Sequence, residues 1–388
     1  MRARPGFLRA IAAAAALAAA FALAGCGAKF PLPTESKGRV IPSDGSYQLV
    51  APWNGLADVR DIELAPGPQL FMLFNHGGTD TSSRGNALEY QLVQPVQMPT
   101  PAFTGMFNPI AMAGTGTRLF VLDQGDTALA RRNPNTGHPS PDTTGHWKLA
   151  ISDLEHYWKV LEYLPTGGTP IGQFTDTLMA YVTGVAADVH NNVYVGGVAI
   201  ITLFDQNDSR ITYKVYKYRI YKYVRGPRPD APDISVIPNT LWHRDTLFLA
   251  EDGSGIGSVN DSRGLQWGAA LGTGIYAADH GKNWVQKMGD TGIDPGLFFI
   301  DGTASGAQLI EPIDVAADGA GYIYILEGAG QKRVLRYFQN DENGEVYVQK
   351  VNIEGDPLVA PSALTADQQN VYVADPGAKR VLYYQRRP

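Results

Sequence analysis

The chain has 388 residues, 44% hydrophobic and 18% charged, with a net charge of −6 and one cysteine. The acidic balance argues against nucleic acid or anionic lipid as a general partner. A single cysteine allows no internal disulfide, so an exported domain of this chain must rest on its buried core alone.

Residues 1–25 read as a leader and not as fold. Arg2, Arg4 and Arg9 make a basic start, Ala10 to Ala22 an apolar run, and Leu23-Ala24-Gly25 supply small residues before Cys26. The run is shorter than the roughly 20 residues that span a bilayer. The tetrad Leu23-Ala24-Gly25-Cys26 resembles the bacterial lipobox, which implies that Cys26 becomes the lipidated first residue of the mature protein. Two or three acyl chains there would hold a membrane far more firmly than one. Residue 27 is glycine and not the aspartate of inner-membrane retention, so the resemblance implies the outer membrane, on its periplasmic or surface face, in a Gram-negative cell. Three of the 32 basic residues fall in the leader, which leaves 29 against 38 acidic ones and a net charge of −9. Residues 26–45, with Pro31, Pro33 and Pro42, predict an extended tether, and 46–388 a single domain.

Within that domain six short core strands recur: Leu70 to Phe74, Leu119 to Asp123, Val193 to Gly197, Ile275 to Asp279, Ile323 to Glu327 and Val371 to Asp375. Each is a β-branched and aromatic run bounded by Gly, Asp or Asn, as buried strands are. The last two lie 48 residues apart and share their flanking residues, which predicts repeated four-stranded units.

These units resemble the NHL repeat. Gly172-Gln173-Phe174, Thr183-Gly184-Val185-Ala186-Ala187-Asp188 and Val193-Tyr194-Val195 carry the pattern, as do Pro312, Val315-Ala316, Asp318, Ile323-Tyr324-Ile325 and Arg333-Val334. The resemblance implies an all-β, six-bladed β-propeller. The last unit supplies only Ser362 to Ala366, Val371 to Ala374 and Arg380 to Tyr384 before the sequence ends, so the fourth strand is expected from Tyr47-Gln48-Leu49-Val50, paired beside Val381 to Tyr384 to close the ring. Glu327 with Arg333 and Asp375 with Arg380 read as structural turn contacts. Two intervals between core strands stretch to 74 and 82 residues and hold insertions. In the first, Ser152-Asp153-Leu154-Glu155 matches a capping box, with Leu154, Tyr157, Trp158, Leu161 and Leu164 at helical spacing, so a short helix competes with outer strands. The propeller context favours strands. In the second, Leu247 to Ala250 is assigned to the outer strand of the third unit.

A propeller gathers ligands on its axis, and the axis-facing positions are predicted near Asp58, Asn108, Thr183, Trp267, Glu311 and Ser362. Asp58, Asn108 and Glu311 offer hard oxygens for Ca²⁺, as the resemblance to propeller lactonases implies. The seven histidines, His76, His138, His146, His156, His190, His243 and His280, show no zinc-ligand spacing. In the loop from Glu251 to Asp261, Arg263 stands where a calcium loop would need its bidentate glutamate. Arg210 to Arg225 interleaves Tyr213, Tyr216, Tyr218, Tyr221 and Tyr223 with Lys214, Lys217, Arg219 and Lys222. That strip reads either as an aromatic, cationic face for glycan, lipopolysaccharide or an acidic protein, or as an outer strand guarded by its charges against edge pairing. The leading expectation is a lipid-anchored scaffold that binds an envelope protein or glycan without catalysis and without a cofactor. The alternative is a Ca²⁺-dependent hydrolase.

Overall fold

Short apolar runs become strands along the whole domain and pair, in chain order, into six antiparallel sheets. The structure is a computed structural model and describes residues 46–65, 69–76, 85–124, 158–176, 178–204, 212–226, 242–248, 250–253, 258–268, 274–289, 291–292, 299–303, 307–328, 330–340, 344–351 and 357–387. Cys26, the leader and the tether lie outside these residues, as does the capping-box segment 152–155.

β1 (Tyr47–Asn54) opens the domain, and β2 (Val59–Ala65), β3 (Gln69–Asn75), β4 (Gly85–Tyr90) and β5 (Phe103–Met106) form blade one. Blade two is β6 (Pro109–Gly114), β7 (Leu119–Asp123), β8 (Lys159–Tyr163) and β9 (Gly172–Phe174). Blade three contains β10 (Met179–Ala187), β11 (Val193–Phe204), β12 (Thr212–Arg225) and β13 (Trp242–Arg244), with β14 (Ala250–Glu251) also paired to β12. β15 (Ser262–Gly268), β16 (Gly274–Asp279), β17 (Trp284–Met288) and β18 (Phe299–Ile300) make blade four. In blade five stand β19 (Pro312–Ala317), β20 (Tyr322–Glu327), β21 (Val334–Asn340) and β22 (Gly344–Lys350). Blade six joins β23 (Ala363–Ala366), β24 (Asn370–Asp375) and β25 (Arg380–Arg386) to β1. The first strands contact one another in the order β2, β6, β10, β15, β19, β23 and back to β2, which closes a six-bladed propeller.

The six recurrent runs are the second strands. β7 and β16 are buried at every position, and β20 and β24 at all but their first residue, because a neighbouring blade covers each face. The core is accordingly divided. Among the described residues six large apolar clusters form, one between each pair of adjacent blades, such as Phe71, Leu73, Met112 and Val121 between blades one and two.

Recurrent acids fasten the loops. Asp188 Oδ1 accepts the amides of His190 and Asn192, and Asp318 Oδ1 those of Ala320 and Tyr322, so the Val-Ala-x-Asp motif closes the first hairpin of its blade. At the far end of the second strand Asp123 accepts the amides of Phe107 and Asn108, and Asp375 those of Val359 and Ala360. Both are fully buried, and Glu327 at the same position accepts the Ile310 amide. Glu327 also pairs with Arg333, and Asp375 with Arg380 at 3.3 Å, as structural contacts.

Of the two insertions, the first follows the expectation of strand and the second differs from it in detail. Lys159–Tyr163 is a strand, β8. The outer edge of blade three is Trp242–Arg244, with Ala250–Glu251 a second short piece, instead of one strand over Leu247 to Ala250. The chain turns at Asp245, whose Oδ1 accepts the Leu247 amide, and Phe248 is drawn into the cluster between blades three and four.

Closure runs as the repeat demands. β1 lies antiparallel to β25, with Gln48 opposite Gln385, Leu49 opposite Tyr384 and Trp53 opposite Val381. Trp53 is 1% exposed and meets Tyr372 at 5.8 Å, Tyr383 at 6.0 Å and, across in blade one, Tyr90 at 6.4 Å. One indole thus joins the two ends of the ring. Trp53→Ala is expected to cost about 3–5 kcal/mol as a large buried side chain lost to a cavity. A urea titration checks this; a change under ~1 kcal/mol would show that closure does not depend on it.

Candidate functional site: the axial channel

Antiparallel pairing between first and second strands slips by one residue at the same place in five blades. Such a bulge re-aims one side chain. The extra residues are Arg60, Ile110, Thr183, Arg263 and Ile313, and Ser362 holds the equivalent place in blade six, its amide donating to the Ala374 carbonyl. All six border one axial cavity of about 680 Å³, within the range typical of small-molecule sites.

Around the ring, blade one faces blade four, two faces five, and three faces six. The bulge residues therefore form opposed pairs: Arg60 with Arg263, Ile110 with Ile313, Thr183 with Ser362. Asn75, Asn108, Gln124 and Gln266 add amides to the wall. Asn75 Nδ2 donates to Asn108 Oδ1 at 2.7 Å, and Gln124 Nε2 to the Val182 carbonyl at 3.2 Å.

One residue further in, blades one and five carry aspartate where the NHL pattern has the glycine seen at Gly184. Asp61 Oδ2 accepts the Met112 amide of blade two at 2.6 Å, and Asp314 Oδ2 accepts the Leu364 amide of blade six at 2.7 Å. Each also accepts the amide that follows it, from Ile62 and Val315. Glu63 Oε1 takes the Gly114 amide at 3.1 Å, and Thr365 Oγ1 the Leu64 amide at 3.1 Å. Side chains thus satisfy strand-edge donors on the axis that no fifth strand reaches. Blades three and four carry glycine at this place for lack of room. A Cβ on Gly184 would stand 2.3 Å from the Arg263 carbonyl oxygen, and one on Gly264 2.4 Å from Asp314 Cα.

The three carboxylates border the cavity yet lie deep within protein, and loss of solvation dominates over the amides that favour their charged forms. Asp61 is pushed up to about 7 and Glu63 to about 8, while Asp314 is raised well above the usual carboxylate range by burial and by the nearby Asp61 and Glu63.

Of the axis positions expected from sequence, Asn108, Thr183 and Ser362 border the cavity. Blade four contributes Arg263 instead of Trp267, which stacks on Tyr194 between blades at 5.9 Å. Its motif Ser262-Arg263-Gly264-Leu265 lacks the proline that marks the position in Pro109 and Pro312. Asp58 pairs with His76 at 3.0 Å, and Glu311, in a left-handed conformation at φ 49°, receives the Gly328 amide on its carbonyl. Neither is among the residues bordering the cavity, so of the three expected calcium ligands Asn108 alone reaches it. Among the described residues no three His, Cys, Asp or Glu side chains are grouped as metal ligands.

The tyrosine-rich strip is β12, the third strand of blade three and not its outer one. Its alternation sends the tyrosines to both faces. Tyr223 is buried at 3%, Tyr221 packs beside it under Arg244, and Tyr218 and Tyr216 lie against other clusters. The cations are paired: Lys217 with Asp252 at 2.8 Å, Arg219 with Glu251, Lys222 with Asp245 at 3.3 Å. The side chains of Tyr213 and Lys214 lie outside the described residues. β11 and β12 run to 12 and 14 residues and pair with each other as far as Phe204 and Thr212, beyond the last β10 partner at Ala199, as a two-stranded ribbon.

No family model matches the chain, and no curated protein matches it in sequence. Solved structures do match. A structural genomics protein of unknown function from Bacteroides thetaiotaomicron superposes with a TM-score of 0.50 at 12% identity, covering 88% of this chain and 72% of that one. The WD40 β-propeller domain of Doa1 gives 0.43 at 10% identity over 87% and 97%. Virginiamycin B lyase from Staphylococcus aureus gives 0.41 at 8% identity over 88% and 99%. At these identities the first supports the propeller fold and nothing finer.

The raised carboxyls set a pH dependence. Between the ordinary carboxylate value near ~4 and the raised values, the folded state holds protons that the unfolded state has released. Their contribution to stability is therefore full below about pH 4 and is lost as pH rises through about 7 for Asp61 and about 8 for Glu63. Asp279, also raised to about 7 by burial, acts in the same window. Urea midpoints measured from pH 5 to pH 8.5 are expected to fall with pH, and Asp61→Asn, which keeps an oxygen for the Met112 amide, to make that fall shallower. An unchanged slope would contradict the assignment.

Proposed function

We propose that the protein is a lipid-anchored propeller of the cell envelope that binds a protein or glycan partner at its axial channel, without turnover. The observation that carries this reading is the channel itself. Every blade contributes the residue at its bulge level to one cavity, and the lining offers amides, hydroxyls and charges of both signs. The lipobox resemblance at Cys26 supplies the anchor, and the tether of residues 26–45 the reach. Among the described residues no helix is long and apolar enough to cross a membrane.

The tyrosine-rich strip is a less favoured face, since much of its aromatic area and most of its charge are engaged within the domain. Two measurements in the native host test the reading. Cys26→Ser is expected to abolish incorporation of labelled fatty acid and to release the protein from the membrane fraction. A photo-crosslinking residue in place of Tyr181, which is 48% exposed and borders the channel, is expected to capture an envelope component, whereas one in place of Asn283 on the blade-four hairpin is not. Membrane retention of Cys26→Ser, or equal capture from both positions, would contradict it.

A further inference from the structure

The charged groups of the channel are not equally occupied. Asp261 is engaged by both Arg263, at 2.9 Å, and His280, at 3.2 Å. Asp61, Glu63 and Asp314 accept backbone amides through their oxygens, and their burial favours the neutral acid. Arg60 is the exception. It is exposed to the cavity and has no hydrogen-bond or ion-pair partner among the described residues.

Beside it in the ring, one blade away and at the same bulge level, stands Ser362. Its Oγ is buried without a hydrogen-bond partner. A buried hydroxyl left unsatisfied is costly, and an uncommitted guanidinium on a cavity wall is a fork of donors suited to carboxylate or phosphate. The flanking bulge residues, Ile110 next to Arg60 and Ile313 next to Ser362, are apolar. They border the pair on both sides, so the polar feature at this level is narrow and local. Across the axis Arg263 already holds Asp261, and Thr183 Oγ1 donates to the Ser262 carbonyl, so the opposite wall has fewer donors to spare.

We infer that the channel binds a small molecule through an oxyanion, carboxylate or phosphate, seated on the Arg60 guanidinium and the Ser362 hydroxyl. This rests on the channel being the binding site, and it adds the chemical class of what binds there. Gln266, which also borders the cavity, offers its amide to the remaining body of the ligand, which suits a hydroxylated molecule. The site is built by position and not by motif: one arginine and one serine from blades at opposite ends of the chain become neighbours when β1 closes the ring.

The test is calorimetric titration of the full chain with galacturonate, inorganic phosphate and, as neutral counterpart, galactose. Galacturonate or phosphate is expected to bind and galactose to bind at least tenfold more weakly. Arg60→Gln is expected to weaken oxyanion binding by about tenfold or more, Ser362→Ala by severalfold, and Arg60→Lys to retain part of it. Thermal unfolding of each variant shows whether it folds, and Arg60, at the cavity surface with no partner among the described residues, is a position where folding should persist. Galactose binding as tightly as galacturonate, or oxyanion binding indifferent to Arg60→Gln, overturns the inference while leaving the binding-propeller reading in place. Absence of binding by either oxyanion at 10-fold millimolar excess overturns it as well. Consumption of galacturonate during the titration would instead contradict binding without turnover and leave the oxyanion seat standing.

Discussion

A ring of blades leaves the first strand of every sheet with one edge turned to the axis, and the amides on that edge must find acceptors. This constraint shapes the centre of the molecule. Asp61, Glu63, Asp314 and Thr365 reach sideways to the neighbouring strand and accept its amides, acting as pieces of a missing fifth strand. Where the neighbouring backbone comes too close for any side chain, Gly184 and Gly264 stand instead. The channel is therefore uneven by construction, bridged by carboxyls at some joints and closed by backbone contact at others.

The cost of that arrangement is electrostatic. A carboxyl deep in the ring is poorly solvated, and one or two backbone amides do not replace the water it gives up. Asp61 and Glu63 respond by holding their protons toward neutral pH, which removes negative charge from the channel wall. With Asp261 engaged by Arg263 and His280, the channel arginine left without an acid among the described residues is Arg60. The same carboxyls that complete the inner strands thus decide the sign of the site. Closure matters to it as well, since Ser362 and Arg60 belong to the last and first blades and are held side by side by the pairing of β1 with β25.

Much of the fold was legible in the residues because each blade repeats a burial problem. The second strand is covered on both faces, so it shows as an unbroken β-branched and aromatic run, and the incomplete last repeat pointed directly to Tyr47 to Val50 as the closing strand. Blade three was harder to read. Its long β11–β12 ribbon and the turn at Asp245 separate strand from sequence spacing, and the apolar run holding Phe248 marks an inter-blade contact as well as a strand piece.

The site was less legible, for a geometric reason. The axis-facing residue is set by a bulge, and a shift of one residue exchanges a channel side chain for a core one. Thr183 and Ser362 could be placed because their blades keep the repeat's landmarks, whereas blade four, without its proline, hid Arg263 behind Trp267. A usable signal was present at Asp61 and Asp314: an acid in the glycine place of the repeat marks a joint where a side chain has room to reach the amide of the neighbouring strand. Hydrogen exchange at two amides tests the account most directly. The Met112 and Leu364 amides should be strongly protected, and Asp61→Ala should release Met112 while leaving Leu364 slow. If Met112 stays as protected without the Asp61 carboxyl, the edges of the inner strands are satisfied by something else and the account of the channel fails.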